Sequence, residues 1–65
     1  MILGEWHHRP GGKWRVDEVV KTGDWYYEWR AEAPNGTDVG YAPFAFLARH
    51  RAIAALRRMA ATGGA

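Results

Sequence analysis

Large apolar and charged side chains alternate along residues 25–33, whose sequence is WYYEWRAEA. Successive side chains of a strand point to opposite faces, so this period of two predicts a strand with one face on a core and one in solvent. The predicted core-facing positions are Trp25, Tyr27, Trp29, Ala31 and Ala33. The predicted solvent-facing positions are Tyr26, Glu28, Arg30 and Glu32.

Two further strands are predicted on either side of this segment. Residues 14–20 are rich in valine, and the charged pair at positions 17 and 18 interrupts their alternation, which predicts a bulge. Residues 21–24 contain a glycine suited to a hairpin turn. Asn35-Gly36 is a strong hairpin signal, and it predicts a third strand over residues 37–42.

The C-terminal part of the chain has the composition of a helix. Residues 44–59 contain neither glycine nor proline and are rich in alanine, leucine and arginine. The predicted apolar stripe consists of Phe46, Ala52, Ile53, Leu56, Met59 and Ala60. Glycines 63 and 64 are expected to end the helix. The predicted fold is therefore α+β, a three-stranded antiparallel β-β-β-α sheet with the helix packed on one face.

The chain is expected to form one domain with short flanking segments. Residues 1–13 are predicted as an N-terminal arm or extra strand, residues 14–61 as the domain, and residues 62–65 as a frayed tail. A chain of 65 residues buries only about 60% of its unfolded surface, so its margin of stability is small. Aromatic burial and dimerisation are the expected supports.

Charge is distributed unevenly around a formal net charge of +2. Residues 14–46 contain three basic and six acidic side chains, whereas residues 47–65 contain four arginines and no acid. The sheet is therefore predicted to be acidic and the helix basic, an asymmetry that can orient a partner. Arginine outnumbers lysine seven to two, which is typical of a GC-rich bacterial genome or its phage.

The sequence contains no cysteine and no long apolar run. The first fact excludes disulfides and thiolate metal sites and fits a reducing compartment. The second predicts neither a secretory signal nor a membrane span. We therefore expect a cytoplasmic protein that makes no contact with a membrane.

No arrangement of residues predicts catalysis or metal binding. His7 and His8 are adjacent, so a strand would point them to opposite sides, and no cysteine completes a zinc set. Gly11-Gly12-Lys13 lacks the flanking residues of a phosphate loop. Asp17 and Glu18 diverge in the same way as the histidines. We expect no enzyme, no cofactor, no metal and no small-molecule substrate.

One segment resembles a known family. Its matching residues are Trp25, Tyr27, Trp29, Arg30, Ala33, Asn35, Gly36, Gly40, Tyr41, Ala48, Ala52, Ile53 and Leu56. Over this segment, about half of the chain, the sequence resembles the YegP-type family of small uncharacterised bacterial domains. The resemblance implies the β-β-β-α fold and pairing of units, since members often carry the unit in tandem, but it implies no activity. The family's usual Ser-Lys before the helix is replaced by Pro43-Phe44.

A weaker likeness, of topology only, is to the integrase-arm type of DNA-binding domain. Those domains read the major groove with the sheet face. The corresponding face here carries Glu28 and Glu32, which repel phosphate. Topology does not imply function.

Two functions follow from exposed residues. The first is binding to another protein, a second copy or a host or partner factor, because exposed aromatic rings and arginine are typical of interface anchors. The candidates are Trp6, Tyr26, Arg30 and Tyr41, with edge strands open to strand addition. The alternative is nucleic-acid binding by the basic helix and the arm. Its candidates are Arg9, Lys13, Arg49, Arg51, Arg57 and Arg58.

Overall fold

The computed structural model describes residues 4–63 of the chain. Its elements are β1 (His7–Arg9), β2 (Gly12–Lys21), β3 (Asp24–Ala33), β4 (Gly36–Ala42) and α1 (Ala45–Gly63). The strands form one antiparallel sheet in the order β1-β2-β3-β4. The predicted α+β class and C-terminal helix are confirmed. The sheet has four strands instead of three, and the fourth, β1, lies within residues 1–13, the predicted arm or extra strand.

The hairpin formed by β2 and β3 is regular over its whole length. Its register is unbroken from the pair Lys13–Glu32 to the pair Lys21–Asp24, so the predicted bulge is wrong. The charged residue Glu18 is accommodated in register opposite Tyr27, where it is half-buried. Thr22 and Gly23 have φ angles of 44° and 86°, and two positive φ angles match a tight turn to the twist of the strands.

The pleat separates two faces of the sheet. We call the face covered by α1 the helix-side face and the other the open face. Buried residues of β2, β3 and β4 on the helix-side face join the buried residues of α1 in one core. The core residues are Trp14, Trp29, Ala31, Ala42, Ala48, Ala52, Ala55 and Leu56.

Small residues let the large rings fit beneath the helix. A Cβ added at Gly40 would lie 2.5 Å from Cζ2 of Trp29, so the indole ring rests directly on that glycine. Above the sheet, α1 contributes the buried methyl groups of Ala48, Ala52 and Ala55. Close packing of two indoles is thus achieved with alanine and glycine, which explains why so few large aliphatic residues are needed.

The predicted apolar stripe of the helix is corrected in part. Leu56 and Ala52 are buried as expected, but Phe46 is 61% exposed and Ala60 is also exposed. The buried positions 48, 52, 55 and 56 recur at helical spacing, and Phe46 falls outside the face that they define. The helix also continues to Gly63, and the side chain of Thr62 donates to the carbonyl of Arg58 at 2.9 Å. The predicted frayed tail of residues 62–65 falls partly outside the described residues, as does the start of the arm.

The helix covers only one end of the long hairpin. Asn35 Nδ2 donates to the carbonyl of Met59 at 3.1 Å, which fixes the C-terminal part of α1 near the turn before β4. At the other end, Val20 and Trp25 are register partners close to the hairpin turn and are 65% and 54% exposed. The prediction that Trp25 belongs to the core is therefore wrong. Within residues 4–63, α1 lacks the length of apolar sequence that a membrane-spanning helix requires.

Candidate functional site

The open face brings together the residues predicted for a protein interface. The register places Tyr26, Arg30 and Tyr41 on this face, on the neighbouring strands β3 and β4. The rings of Tyr26 and Tyr41 meet edge to face, with centroids 5.3 Å apart and an interplanar angle of 76°. Such pairs contribute about 0.5–1.5 kcal/mol beyond their buried area, so the two rings hold each other in place.

Trp6 joins the same face from outside the strands. Its ring lies 4.6 Å from Nζ of Lys13 and 5.0 Å from Cζ of Arg15, measured to the ring centroid. Both basic residues belong to β2 and point to the open face by register. Arg15 is also paired with Asp17 at 3.1 Å. These cation–π contacts position Trp6, which is half-buried, at the β2 side of the open face.

Tyr41 has a perturbed side chain. The negative charge of Glu28, its register partner across the sheet, is the largest of the effects that raise the pKa of Tyr41 above its ordinary value of 10.0. Loss of hydration also raises this pKa, whereas Arg30 lowers it. The phenol therefore holds its proton more tightly than an unperturbed tyrosine does.

Arg30 has a donor without a partner in the described chain. Its Nε atom is buried and makes no hydrogen bond within residues 4–63. The neighbouring positions on the same face of β3 are Glu28 and Glu32, and neither ion pair formed within residues 4–63 includes Arg30. The guanidinium therefore keeps hydrogen-bond donors that are not used within the described chain.

The edge of the sheet at β4 is partly closed by side chains. Nη1 of Arg51 donates to the carbonyl of Tyr41 at 2.8 Å. The backbone N–H of Val39 donates to Oδ1 of Asp38 at 3.1 Å, and Asp38 also pairs with Arg58 at 2.6 Å. Occupied backbone groups oppose pairing with a further strand, so strand addition is disfavoured at this edge.

The residues predicted for nucleic-acid binding are distributed over several surfaces. Arg51 and Arg58 turn toward β4 and are engaged there. Lys13 lies beneath Trp6 on the open face. Arg57 is exposed on the helix, and Arg9 lines one depression with Lys13 and another with Arg49. The six residues therefore do not form one continuous basic surface.

The depression that Arg9 shares with Arg49 is a groove on the helix-side face, with a volume of about 650 Å³. It is lined by His7, Arg9, Trp14, Val16, Ala45, Phe46 and Arg49. The ring of His7 stacks on Trp14, with centroids 4.4 Å apart and planes inclined by 19°. Sequence reasoning missed this groove because the sequence gives no register for β1, and the register is what sets His7 beside Trp14.

The histidines do not converge on a metal site. His7 is stacked on Trp14, and His8 is the next residue along β1, so its side chain points to the opposite face. Within residues 4–63, no three His, Cys, Asp or Glu side chains are grouped so that they could hold a metal ion.

The chain matches no family model, no curated protein and no solved structure. The resemblance to the YegP-type family stays a prediction. Function is therefore inferred from the chain's own surfaces.

Proposed function

We propose that this protein is a non-catalytic module that binds another protein through its open face. The observation that supports the proposal is the placement of Trp6, Tyr26, Arg30 and Tyr41 on the one sheet face that α1 leaves uncovered. These residues come from the arm and from two different strands. Trp6, Tyr26 and Tyr41 are distant in sequence, and pairing of the strands brings them to the same face.

The chemistry of the face suits a protein partner. Tyrosine, tryptophan and arginine dominate the energetically important positions of protein interfaces because they offer large contact areas with few rotatable bonds and a polar tip. The rings of Tyr26 and Tyr41 already hold each other in place, so these two side chains lose little entropy when a partner contacts them. Charged residues around the rings supply the polar rim that such interfaces have.

The charges of the open face favour a protein over a nucleic acid. Basic and acidic side chains are interspersed along β2 and β3 on this face, with four of each. They are Lys13, Arg15, Lys21 and Arg30 with Asp17, Asp24, Glu28 and Glu32. A surface with no excess of positive charge releases few counterions from a phosphate backbone, so it gains little affinity for DNA or RNA.

The test is photo-cross-linking in the cells that produce the protein. A benzophenone amino acid replaces Val39, which is 43% exposed on the open face, and in a second variant it replaces Arg57 on the outer side of the helix. We expect a discrete protein adduct from position 39 and none of the same mass from position 57. Combining Tyr26→Ala with Tyr41→Ala removes that adduct, because both rings leave the contact surface.

Other outcomes contradict the proposal. Identical adducts from both positions indicate non-specific contact, and an adduct that survives removal of both rings excludes them as anchors. An adduct that nuclease treatment removes supports the nucleic-acid alternative. Binding to a random DNA duplex that weakens steeply with salt and disappears with Arg49→Ala and Arg57→Ala supports the same alternative.

A further inference from the structure

A second unpartnered surface lies on the opposite face of the sheet. Around the start of α1, four large apolar residues of the described chain are exposed, and we call them the overhang: Val20, Trp25, Phe44 and Phe46. Val20 and Trp25 pair across β2 and β3, and the rings of Phe44 and Phe46 stack with centroids 5.7 Å apart. Exposed apolar groups that are grouped in this way mark an interaction surface.

The half-buried ring of Tyr27 lies between the two parts of the overhang, which are the pair Val20 and Trp25 and the pair Phe44 and Phe46. Trp25 contacts Tyr27 edge to face, with centroids 5.6 Å apart. Tyr27 is the register partner of Ala42, which precedes Phe44 by two residues. On the other side, Phe46 lines the groove together with Val16 of the same sheet face. The apolar surface therefore runs from the hairpin turn to the mouth of the groove.

The helix-side face carries basic residues in the groove and an acidic residue on β2. The groove carries Arg9 and Arg49, and no acidic residue lines it. Glu18 lies between Val16 and Val20 on the helix-side face and is half-buried. Two ion pairs, Arg15–Asp17 and Arg58–Asp38, are formed within residues 4–63, and neither of them includes Glu18. One surface thus presents an acid and a pair of arginines, all without an ionic partner in the described chain.

We propose that a second copy of this chain covers the overhang through a two-fold axis, with Glu18 of each copy facing Arg49 of the other. A two-fold interface uses the same patch on both copies, so each contact is made twice and one patch must contain both signs of charge. The overhang and groove meet that requirement. Burial of the four apolar residues supplies affinity, and the charge pairs fix the relative orientation.

This surface is independent of the one proposed for a protein partner. Trp25 and Tyr26 are consecutive in β3, so they point to opposite faces of the sheet. Substitution of one leaves the other face unchanged. The protein would then bind a partner on the open face while it is paired with its own copy on the helix-side face.

The test is a charge exchange followed by mixing. Light scattering and sedimentation equilibrium measure the oligomeric state of Glu18→Arg, of Arg49→Glu and of their equimolar mixture. Each single variant alone sets like charges against each other twice, so we expect its dimer dissociation constant to rise about a hundredfold. In the mixed dimer both contacts again join opposite charges, so dimerisation returns with one copy of each variant.

A matched pair of neighbours provides the control. Trp25→Ala is expected to yield monomers, whereas Tyr26→Ala leaves the dimer intact. Circular dichroism establishes that each variant is folded, which separates loss of pairing from loss of structure. A wild-type chain that stays monomeric at high concentration would overturn the inference. It is equally overturned if the folded single variants dimerise normally or if their mixture remains monomeric.

The charge-exchange experiment and the cross-linking experiment test the two proposals separately. A self-adduct from the cross-linker at Val39 would put the second copy on the open face and contradict the helix-side arrangement. A heterologous adduct from Val39 together with failure of the charge exchange would leave the open-face function standing and remove only the helix-side dimer.

Discussion

Trp29 and Trp25 lie on the same strand and point to the same face, yet 7% of Trp29 and 54% of Trp25 is exposed. The difference comes from the helix and not from the strand. α1 begins at Ala45 and lays its alanines over Trp29, while the hairpin extends past the first turn of the helix and carries Trp25 with it. The alternation along β3 therefore determines which face of the sheet a side chain lies on. Whether that side chain is buried depends on where α1 begins.

Removal of the covered tryptophan is the largest expected effect. Trp29→Ala deletes a ring that rests on Gly40 and joins the alanines of α1 in the core, and such deletions cost about 3–5 kcal/mol of unfolding free energy. A domain of this size has roughly 3–10 kcal/mol in total, so we expect a protein that is largely or wholly unfolded. Urea denaturation followed by circular dichroism measures the loss.

Filling the space between Gly40 and the ring of Trp29 is expected to have the next largest effect on stability. Gly40→Ala introduces a methyl group at 2.5–2.7 Å from three atoms of Trp29, so the indole must move. Overpacking of this kind costs about 1–3 kcal/mol. Thr37→Ala on the same strand is the control, since Thr37 is exposed and its truncation is expected to change stability by less than about 0.5 kcal/mol. Equal stability of Gly40→Ala and the wild type would show that the ring is not held against the strand.

The same comparison explains what the sequence alone could predict. The strand β3 and the faces of Tyr26 and Arg30 follow from a clear alternation, and the turn at Thr22-Gly23 follows from its residue types. The strand β1 is only three residues long and polar, so it carries no periodic signal. Its existence depends on pairing with β2, which is a property of the folded chain.

The helix shows a second limit. An apolar stripe chosen by side-chain size favours Phe46, whereas the buried face consists mainly of alanines. The alanines pack on Trp14 and Trp29, and this contact is known only once the sheet is assembled. The groove was missed for a related reason, since it joins Arg9 and Arg49, which are forty positions apart in the chain.

The uncovered tryptophan is expected to contribute little to the stability of a single copy. Trp25→Ala removes a ring that is more than half exposed, so at low concentration we expect a loss of less than about 1 kcal/mol. Thermal unfolding across a range of protein concentrations measures it. If a second copy covers this ring, the melting temperature of the wild type rises with concentration and that of Trp25→Ala does not. A loss as large as that of Trp29→Ala would contradict the division into covered and uncovered ends.

The open face allows the smallest and most local test. Tyr41 lies opposite Glu28, whose charge raises the pKa of Tyr41 above 10.0, so Glu28→Gln is expected to lower that pKa toward its ordinary value. NMR of the Cζ atom of Tyr41 follows the titration directly. The control is Glu32→Gln, because Glu32 pairs with Thr37 and is not opposite Tyr41.

The sign of the accompanying stability change follows from the direction of the shift. The folded state holds the phenol proton of Tyr41 more tightly than the unfolded chain does, so this contribution is complete below the unfolded pKa and is lost as pH rises through the folded one. Glu28→Gln should therefore reduce the fall in stability at high pH, whereas Glu32→Gln should leave it unchanged. An unaltered Tyr41 titration in Glu28→Gln would show that the two side chains do not face each other on the open face.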